Sequence, residues 1–161
     1  MPKLIKLAGG AVDDVFTDVA DEDAIPDGAV ILSLARFQAE GDALIGRQVG
    51  VRIQSDEAVE DLAYDLPRIA VVALVFPKYR DGRAYTSARL LRERFGYGGE
   101  IRAVGDVLRE QAGFMVRCGF DAFVPADGSS AEEWAAAASR YRHVYQRAAD
   151  DRVPAFVERG A

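Results

Sequence analysis

The sequence is poor in the residues that build most metal and redox centres. Its 161 residues include one cysteine, Cys118, and one histidine, His143. A single cysteine excludes an internal disulfide. One cysteine and one histidine are also too few to form the Cys/His clusters that hold zinc or iron–sulfur groups. An all-carboxylate magnesium site stays possible but has no motif here. We therefore expect no metal and no cofactor bound by the chain itself.

Long apolar runs and glycine-rich fingerprints are also absent. The longest apolar run, Ile69 to Phe76, has the length of a strand, whereas a membrane-spanning helix needs about 20 apolar residues. The first residues lack the apolar core and cleavage pattern of a signal peptide, so a cytoplasmic location is the default expectation. No G-x-G-x-x-G, G-x-x-x-x-G-K-[ST] or G-x-S-x-G occurs, so signatures of dinucleotide, nucleotide and hydrolase sites are missing.

The net charge of −6 at pH 7 hides an uneven distribution. Residues 78–117 contain nine Lys/Arg and five Asp/Glu, whereas the rest of the chain contains eleven and twenty-one. Segregated charge of this kind directs anions to one face of a protein. Two or three helices with solvated arginine and glutamate faces give the same count. Nucleic-acid binding is disfavoured, because the chain is acidic overall and has no known reader motif.

Strand-like and helix-like segments alternate along most of the chain. LIKL and AVDDVFTDV flank Gly9-Gly10, which predicts an N-terminal β-hairpin in the region 1–28. In the region 29–147, a strand followed by a helix recurs five times, and 148–161 form a peripheral tail. This pattern predicts a single α/β domain with a mostly parallel sheet flanked by helices.

Two architectures fit that pattern. We favour an open sheet with helices on both faces over a partial TIM-like barrel, and a complete eight-unit barrel would need about 250 residues. The sequence also predicts a helix beginning at Ser55 or Asp56, and a last helix with Trp134, Tyr141 and Tyr145 on its buried face. In either architecture, ligands bind at the carboxyl ends of the strands.

The stretch FPKYRDGRAYTSARLLR follows one such strand end. Gly82 is expected to bend the backbone, and a helix starting near Tyr85 would offer free N–H groups beside two hydroxyls, a combination that binds anions. Arg83 would supply a planar fork for sulfate, phosphate or carboxylate. The structural alternative is a loop in which Asp81 forms hydrogen bonds with arginine and a hydroxyl caps the helix.

The run from Phe76 to Phe123 resembles the bacterial family known as domain of unknown function 934. Members carry F-P-x-[FY]-x-D-G-R-x-Y-[ST]-x-A-R-L-L-R, then E-[IL]-R-A-x-G-D-V-L, then R-C-G-F-D. The resemblance covers about a third of the chain tightly, with Ala84 where glycine is usual and Glu110 where aspartate is usual. The matching positions are Asp81, Gly82, Arg83, Tyr85, Ser87, Ala88, Arg89, Leu90, Leu91, Arg92, Arg102, Ala103, Gly105, Asp106, Val107, Leu108, Arg117, Cys118, Gly119, Phe120 and Asp121.

The resemblance implies a role in assimilatory sulfate and sulfite reduction, since members are commonly labelled as oxidoreductases of that pathway. Because the chain has no cofactor motif, a partner would carry any redox group. We therefore expect an accessory protein that binds an oxyanion, or a partner such as sulfite reductase, through an arginine-rich face. The expected ligand-binding residues are Lys78, Gly82, Arg83, Thr86, Ser87, Arg89, Arg92, Arg109, Gln111 and Arg117.

A small enzyme acting on a phosphorylated or sulfated metabolite is the alternative function. Asp81 or Asp106 would then act as the base and Tyr85 as the proton donor, with the arginines as anion clamps. This alternative requires Asp81, Arg83 and Asp106 to converge in one closed pocket. Self-association through arginine-rich and aromatic-rich helices is a further expectation that the sequence leaves open.

Overall fold

The computed structural model describes residues 4–160, in which eight strands form a single sheet. The strands are β1 Leu4–Lys6, β2 Gly10–Val12, β3 Phe16–Asp18, β4 Ala29–Ser33, β5 Val49–Ile53, β6 Ile69–Phe76, β7 Glu100–Gly105 and β8 Ala122–Phe123. Their order is β2-β1-β8-β7-β6-β5-β4-β3. Each adjacent pair of strands from β3 to β8 is parallel. Strand β1 is antiparallel to both of its neighbours, β8 and β2.

Five α-helices accompany the sheet within these described residues. They are α1 Leu34–Glu40, α2 Arg83–Arg89, α3 Ala112–Cys118, α4 Ala131–Ala138 and α5 Ala155–Glu158. From β3 to β8 each strand lies beside the one before it, always in the same direction. Right-handed connections then carry successive helices to the same face of the sheet. Buried residues of α1 to α4 accordingly share one core with the strands, and the sheet curls into a half-barrel with that core on its convex face.

The predicted class, the mostly parallel sheet and the preceding antiparallel strand pair are confirmed. One aspect differs from the favoured architecture. The helices α1 to α4 pack on one face and not on two, because the strand order never reverses. The sheet is also curled, as expected for the alternative architecture, a partial TIM-like barrel.

The two edges of the sheet lie close together in space. Strands β2 and β3 are at opposite ends of the strand order, yet only residues 13–15 separate them in the chain. Three connecting residues span at most about 14 Å between the flanking Cα atoms. The segment AVDDVFTDV, predicted as one hairpin strand, therefore divides into β2 and β3 at opposite edges.

The concave face of the half-barrel carries charged side chains beside a small apolar cluster of Ile31, Val71 and Ala73. Arg102 on β7 is 2% exposed and donates to Oδ2 of Asp14 at 2.6 Å and to Oε1 of Glu100 at 2.8 Å. Lys6 pairs with Glu100 at 2.9 Å. Asp14 belongs to the three-residue connection between the edges, so this ion pair fastens the connection to the middle of the sheet.

The convex core contains the largest buried side chains. Trp134 of α4 stacks on Phe123 with ring centroids 4.7 Å apart. The capping box of Ser130 and Glu133 starts this helix as predicted. The helix ends at Ala138, so the prediction that Tyr141 and Tyr145 form part of its buried face is wrong, and both are exposed.

The helix predicted after Ser55 is replaced by two short 3₁₀ turns, Val59–Leu62 and Leu66–Arg68. Their buried positions are Val59, Leu62 and Leu66, and a 3₁₀ turn repeats every three residues. No helix within residues 4–160 is both long and apolar enough to cross a membrane.

Candidate functional site

The turn formed by residues 77–82, called here the 77–82 turn, connects β6 to α2 at the carboxyl edge of the sheet. Two side chains from the segment after β7 bind the backbone of Tyr79 in the middle of this turn. Oδ2 of Asp106 accepts the Tyr79 N–H at 2.9 Å, and Nε2 of Gln111 donates to the Tyr79 carbonyl at 2.7 Å. The backbone N–H of Asp106 also donates to the Phe76 carbonyl at 2.8 Å. The turn is therefore fixed on both sides of one residue.

Glycine is required beside the turn and not within it. Gly105 has φ +92°, and a Cβ there would lie 2.4 Å from the carbonyl oxygen of Phe76. The absence of a side chain thus lets the end of β7 approach the end of β6. Gly82 has φ −84°, and a Cβ there would meet only the Tyr85 ring at 3.9 Å. The prediction that Gly82 bends the backbone is therefore not needed to explain the turn, since any residue can adopt this φ.

Asp81 and Arg83 form a bidentate pair. Nε of Arg83 donates to Oδ1 of Asp81 at 3.0 Å, and one terminal nitrogen donates to Oδ2 at 2.7 Å and to the Ser55 hydroxyl at 2.8 Å. The Arg83 hydrogen bonds hold the pKa of the Asp81 carboxyl well below its usual range, and the pair raises the pKa of Arg83. The pair links the turn to the loop after β5 and agrees with one part of the structural alternative stated from the sequence, the hydrogen bonding of Asp81 with arginine. The other part, a hydroxyl that caps the helix, is wrong.

The start of α2 differs from the predicted start. The helix begins at Arg83 with no side-chain cap, so Thr86 and Ser87 lie within it and not beside its first N–H groups. The Tyr85 ring packs edge-on against Phe76, with centroids 5.3 Å apart. Burial raises the pKa of the Tyr85 hydroxyl to about 12.

The remaining predicted arginines are engaged inside the chain. Arg89 pairs with Glu93 at 2.8 Å on the helix surface. Arg92 is largely buried and donates to three backbone carbonyls and to Asp121. Arg109 pairs with Glu133 and Glu110, and Arg117 with Asp150 and the Gln146 carbonyl.

The structure brings together part of the predicted site. Lys78, Asp81 and Arg83 line one open concavity with Pro77 and Arg80. A second concavity is lined by Tyr85, Thr86, Arg89, Leu90, Glu93, Arg94 and Cys118. Asp81 and Tyr85 therefore face different spaces, and Asp106 is engaged with the turn backbone. Within residues 4–160, no group of three or more His, Cys, Asp or Glu side chains is arranged to hold a metal ion.

Sequence reasoning missed a third concavity, called here the aromatic groove and defined by Phe114, Tyr141 and Tyr145. It has a volume of about 460 Å³ and lies between α3, α4 and the segment that follows α4. Arg89, Arg117 and Cys118 also line it. The sequence feature that indicates this groove is the run RYRHVYQR, which combines two tyrosines with three arginines and contains no carboxylate.

Comparison with known protein families gives one match. The family described as "Bacterial protein of unknown function (DUF934)" matches residues 50–156. The matched range contains all of β5 except its first residue, the strands β6 to β8, the 77–82 turn, the residues that hold it, and the aromatic groove. No curated protein matches the chain.

Proposed function

Since the chain belongs to the DUF934 family of bacterial proteins of unknown function, we propose that it is an accessory protein that binds an anionic partner through the 77–82 turn. The partner that the family resemblance suggests is a reductase of assimilatory sulfate or sulfite reduction. In the small-molecule form of this proposal, the turn binds an oxyanion substrate of that pathway in place of a partner protein. The chain would contribute binding, and the partner would contribute the redox cofactor.

One observation supports this proposal more than any other. Lys78 and Arg80 are exposed on a backbone that Asp106 and Gln111 fix from both sides. Because the backbone of the turn is already ordered, a partner has to order only the side chains of the two cations, so more of their electrostatic attraction becomes affinity. The concavity beside them is open, which suits a partner surface better than a small enclosed substrate.

The acid–base alternative has less support. A general base needs a pKa near the working pH, whereas the pair with Arg83 keeps the pKa of Asp81 far below it. Tyr85, the expected proton donor, packs half-buried against Phe76 and faces the second concavity. Asp106 accepts the Tyr79 N–H and is occupied as a structural group. We therefore prefer docking to catalysis.

Binding to purified sulfite reductase tests the proposal, with affinity measured by biolayer interferometry at two salt concentrations. We expect Lys78→Glu and Arg80→Glu to weaken the complex about 5- to 20-fold each, because each places a carboxylate where the anionic partner would lie. Arg159→Glu is the matched control, since it makes the same charge change at an exposed residue after α5. Affinity should fall as salt rises.

Titration calorimetry with sulfite, sulfate, adenylyl sulfate and phosphate tests the small-molecule form. Saturable heat that Arg80→Glu removes would support oxyanion binding at the turn. The proposal fails if no reductase complex forms and no oxyanion binds. It fails equally if Arg159→Glu weakens the complex as much as Arg80→Glu does.

A further inference from the structure

The aromatic groove has walls of an unusual kind for a protein surface. Phe114, Tyr141 and Tyr145 are 71%, 67% and 90% exposed and line the same concavity. Single exposed aromatic residues are common, but several around one groove are typical of an interaction site. A volume of about 460 Å³ is within the range of ligand-binding clefts. None of these aromatic residues contributes to the 77–82 turn.

The wall formed after α4 is fastened to α3 although it has little regular structure. Arg117 at the end of α3 binds the Asp150 carboxylate and the Gln146 carbonyl, and its own carbonyl accepts the Ala149 N–H at 3.0 Å. Arg152 donates to the Tyr141 carbonyl at 2.5 Å. The groove is therefore formed before anything binds, which lowers the ordering cost of binding.

The groove is cationic in an acidic chain. The segment 139–147 contains three arginines and His143 and no Asp or Glu. The ionised side chains that line the groove are four arginines, Arg89, Arg117, Arg140 and Arg152, and one carboxylate, Glu110. Glu93 pairs with Arg89 and Asp150 with Arg117, while Arg109 pairs with Glu110. Among the residues that the structure describes, Arg140 and Arg152 are then the groove arginines with no carboxylate partner. An acidic occupant is the electrostatic complement of such a surface.

The chemistry of the walls distinguishes among acidic occupants. A small oxyanion is held best by several arginine forks that converge on it, but Glu93 occupies the fork of Arg89, and Asp150 with the Gln146 carbonyl occupies that of Arg117. A second copy of the chain in a twofold dimer would place the same cationic patch against itself. An acidic peptide with one aromatic or large aliphatic side chain meets neither difficulty, since a single carboxylate can pair with Arg140 and the exposed rings offer apolar surface to its side chain.

We propose that the aromatic groove binds an acidic peptide segment of a partner protein, with an aromatic or large aliphatic side chain of that segment inserted between Phe114, Tyr141 and Tyr145. The flanking carboxylates lie against Arg140 and its neighbours at the rim. This is a second binding surface, separate from the 77–82 turn, so one partner can engage both or two partners can bind at once.

Selection from a random peptide library of about 12 residues on the immobilised full chain tests the proposal. Enriched peptides are then synthesised with a fluorophore, and their affinity is measured by fluorescence anisotropy. We expect enriched peptides to be acidic and to contain Phe, Trp or Leu. Tyr145→Ala and Arg140→Glu are each expected to weaken them at least about 5-fold.

Two matched controls separate the groove from general effects. Tyr64→Ala removes a fully exposed tyrosine elsewhere, and Arg142→Glu makes the same charge change beside the groove at a residue that does not line it. Both should leave affinity within about 2-fold, the scale of energetically neutral contacts. Tyr145 is so exposed that its truncation should leave the fluorescence of buried Trp134 unchanged.

Several results would overturn the proposal. They are the absence of any enriched peptide, enrichment of peptides that are not acidic, and equal losses in the controls and the groove variants. Loss of peptide binding in Lys78→Glu or Arg80→Glu would assign the peptide to the 77–82 turn instead. Full competition by phosphate or sulfate at constant ionic strength would assign the groove to a small anion. Self-association of the chain that Tyr145→Ala abolishes would assign it to a second copy.

Discussion

Arg92 and Arg89 belong to the same arginine-rich segment, yet the structure predicts very different consequences for replacing them. Arg92 donates to the carbonyls of Gly119 at 3.0 Å, Tyr97 at 2.6 Å and Gly99 at 2.7 Å, and to Asp121 at 3.2 Å. Its side chain is 17% exposed. It thereby joins the end of α3 to the segment between α2 and β7.

Replacing Arg92 by methionine keeps the apolar stem and removes the four hydrogen bonds. Water can reach some of the acceptors, so we assign about 1 kcal/mol to each bond and expect a loss of about 3–4 kcal/mol in the free energy of unfolding. Arg89→Met removes an exposed pair with Glu93 one helical turn away. Pairs of that kind contribute about 0.3–0.5 kcal/mol.

Urea denaturation followed by the fluorescence of the single tryptophan, Trp134, measures the difference. We expect the midpoint of Arg92→Met to fall by about 1.5–2 M urea and that of Arg89→Met to stay within about 0.3 M. Equal midpoints for the two variants would refute the assignment of Arg92 as a structural residue. A stable Arg92→Met variant that had lost anion binding would instead support the function predicted for it from the sequence.

Two further predictions concern the concave face and the single thiol. Arg102→Met leaves Asp14 and Glu100 without their guanidinium and should cost about 3 kcal/mol, whereas Lys6→Met, with a half-exposed side chain, should cost under about 1 kcal/mol in the same denaturation assay. Burial raises the pKa of Cys118, so its reaction with a thiol reagent should reach half-maximal rate at a higher pH in the folded protein than in urea. Because its pKa is higher in the folded state, the thiol stabilises the fold at pH values below its ordinary pKa. This stabilisation is lost as the pH rises through the folded-state pKa. Equal pH profiles in both states would contradict this.

The fold class could be predicted because strand and helix patterns are local. The buried strand β6 is apolar throughout and rich in β-branched residues, and Ser130 with Glu133 shows the start of α4 directly in the sequence. The curl could not be predicted in this way. It depends on the strand order and on residues 13–15, and the ion pair of Asp14 with Arg102 joins positions 88 residues apart.

The candidate site was predictable in composition more than in geometry. The sequence gives Asp81 two alternative roles, a base or a hydrogen-bond partner of arginine, and the structure has the second arrangement, with Arg83. The role of Arg92 could not be read, because three of its four acceptors are backbone carbonyls, which residue types do not reveal. The exposure of Tyr141 and Tyr145 was missed because helical periodicity was extended beyond Ala138, where α4 ends.

The charged side chains in and beside the 77–82 turn fall into two groups. Asp81, Arg83 and Asp106 match positions that the family pattern specifies, and their side chains are engaged in holding the turn or its neighbouring loop. Lys78 and Arg80 occupy the two positions that the pattern F-P-x-[FY]-x-D-G-R leaves open, and both are exposed. The specified positions thus account for the shape of the turn, and the open positions account for its charge. Under the proposed docking function, substitutions at 78 and 80 should change partner affinity while leaving the fold intact, whereas substitutions at the specified positions should change both together.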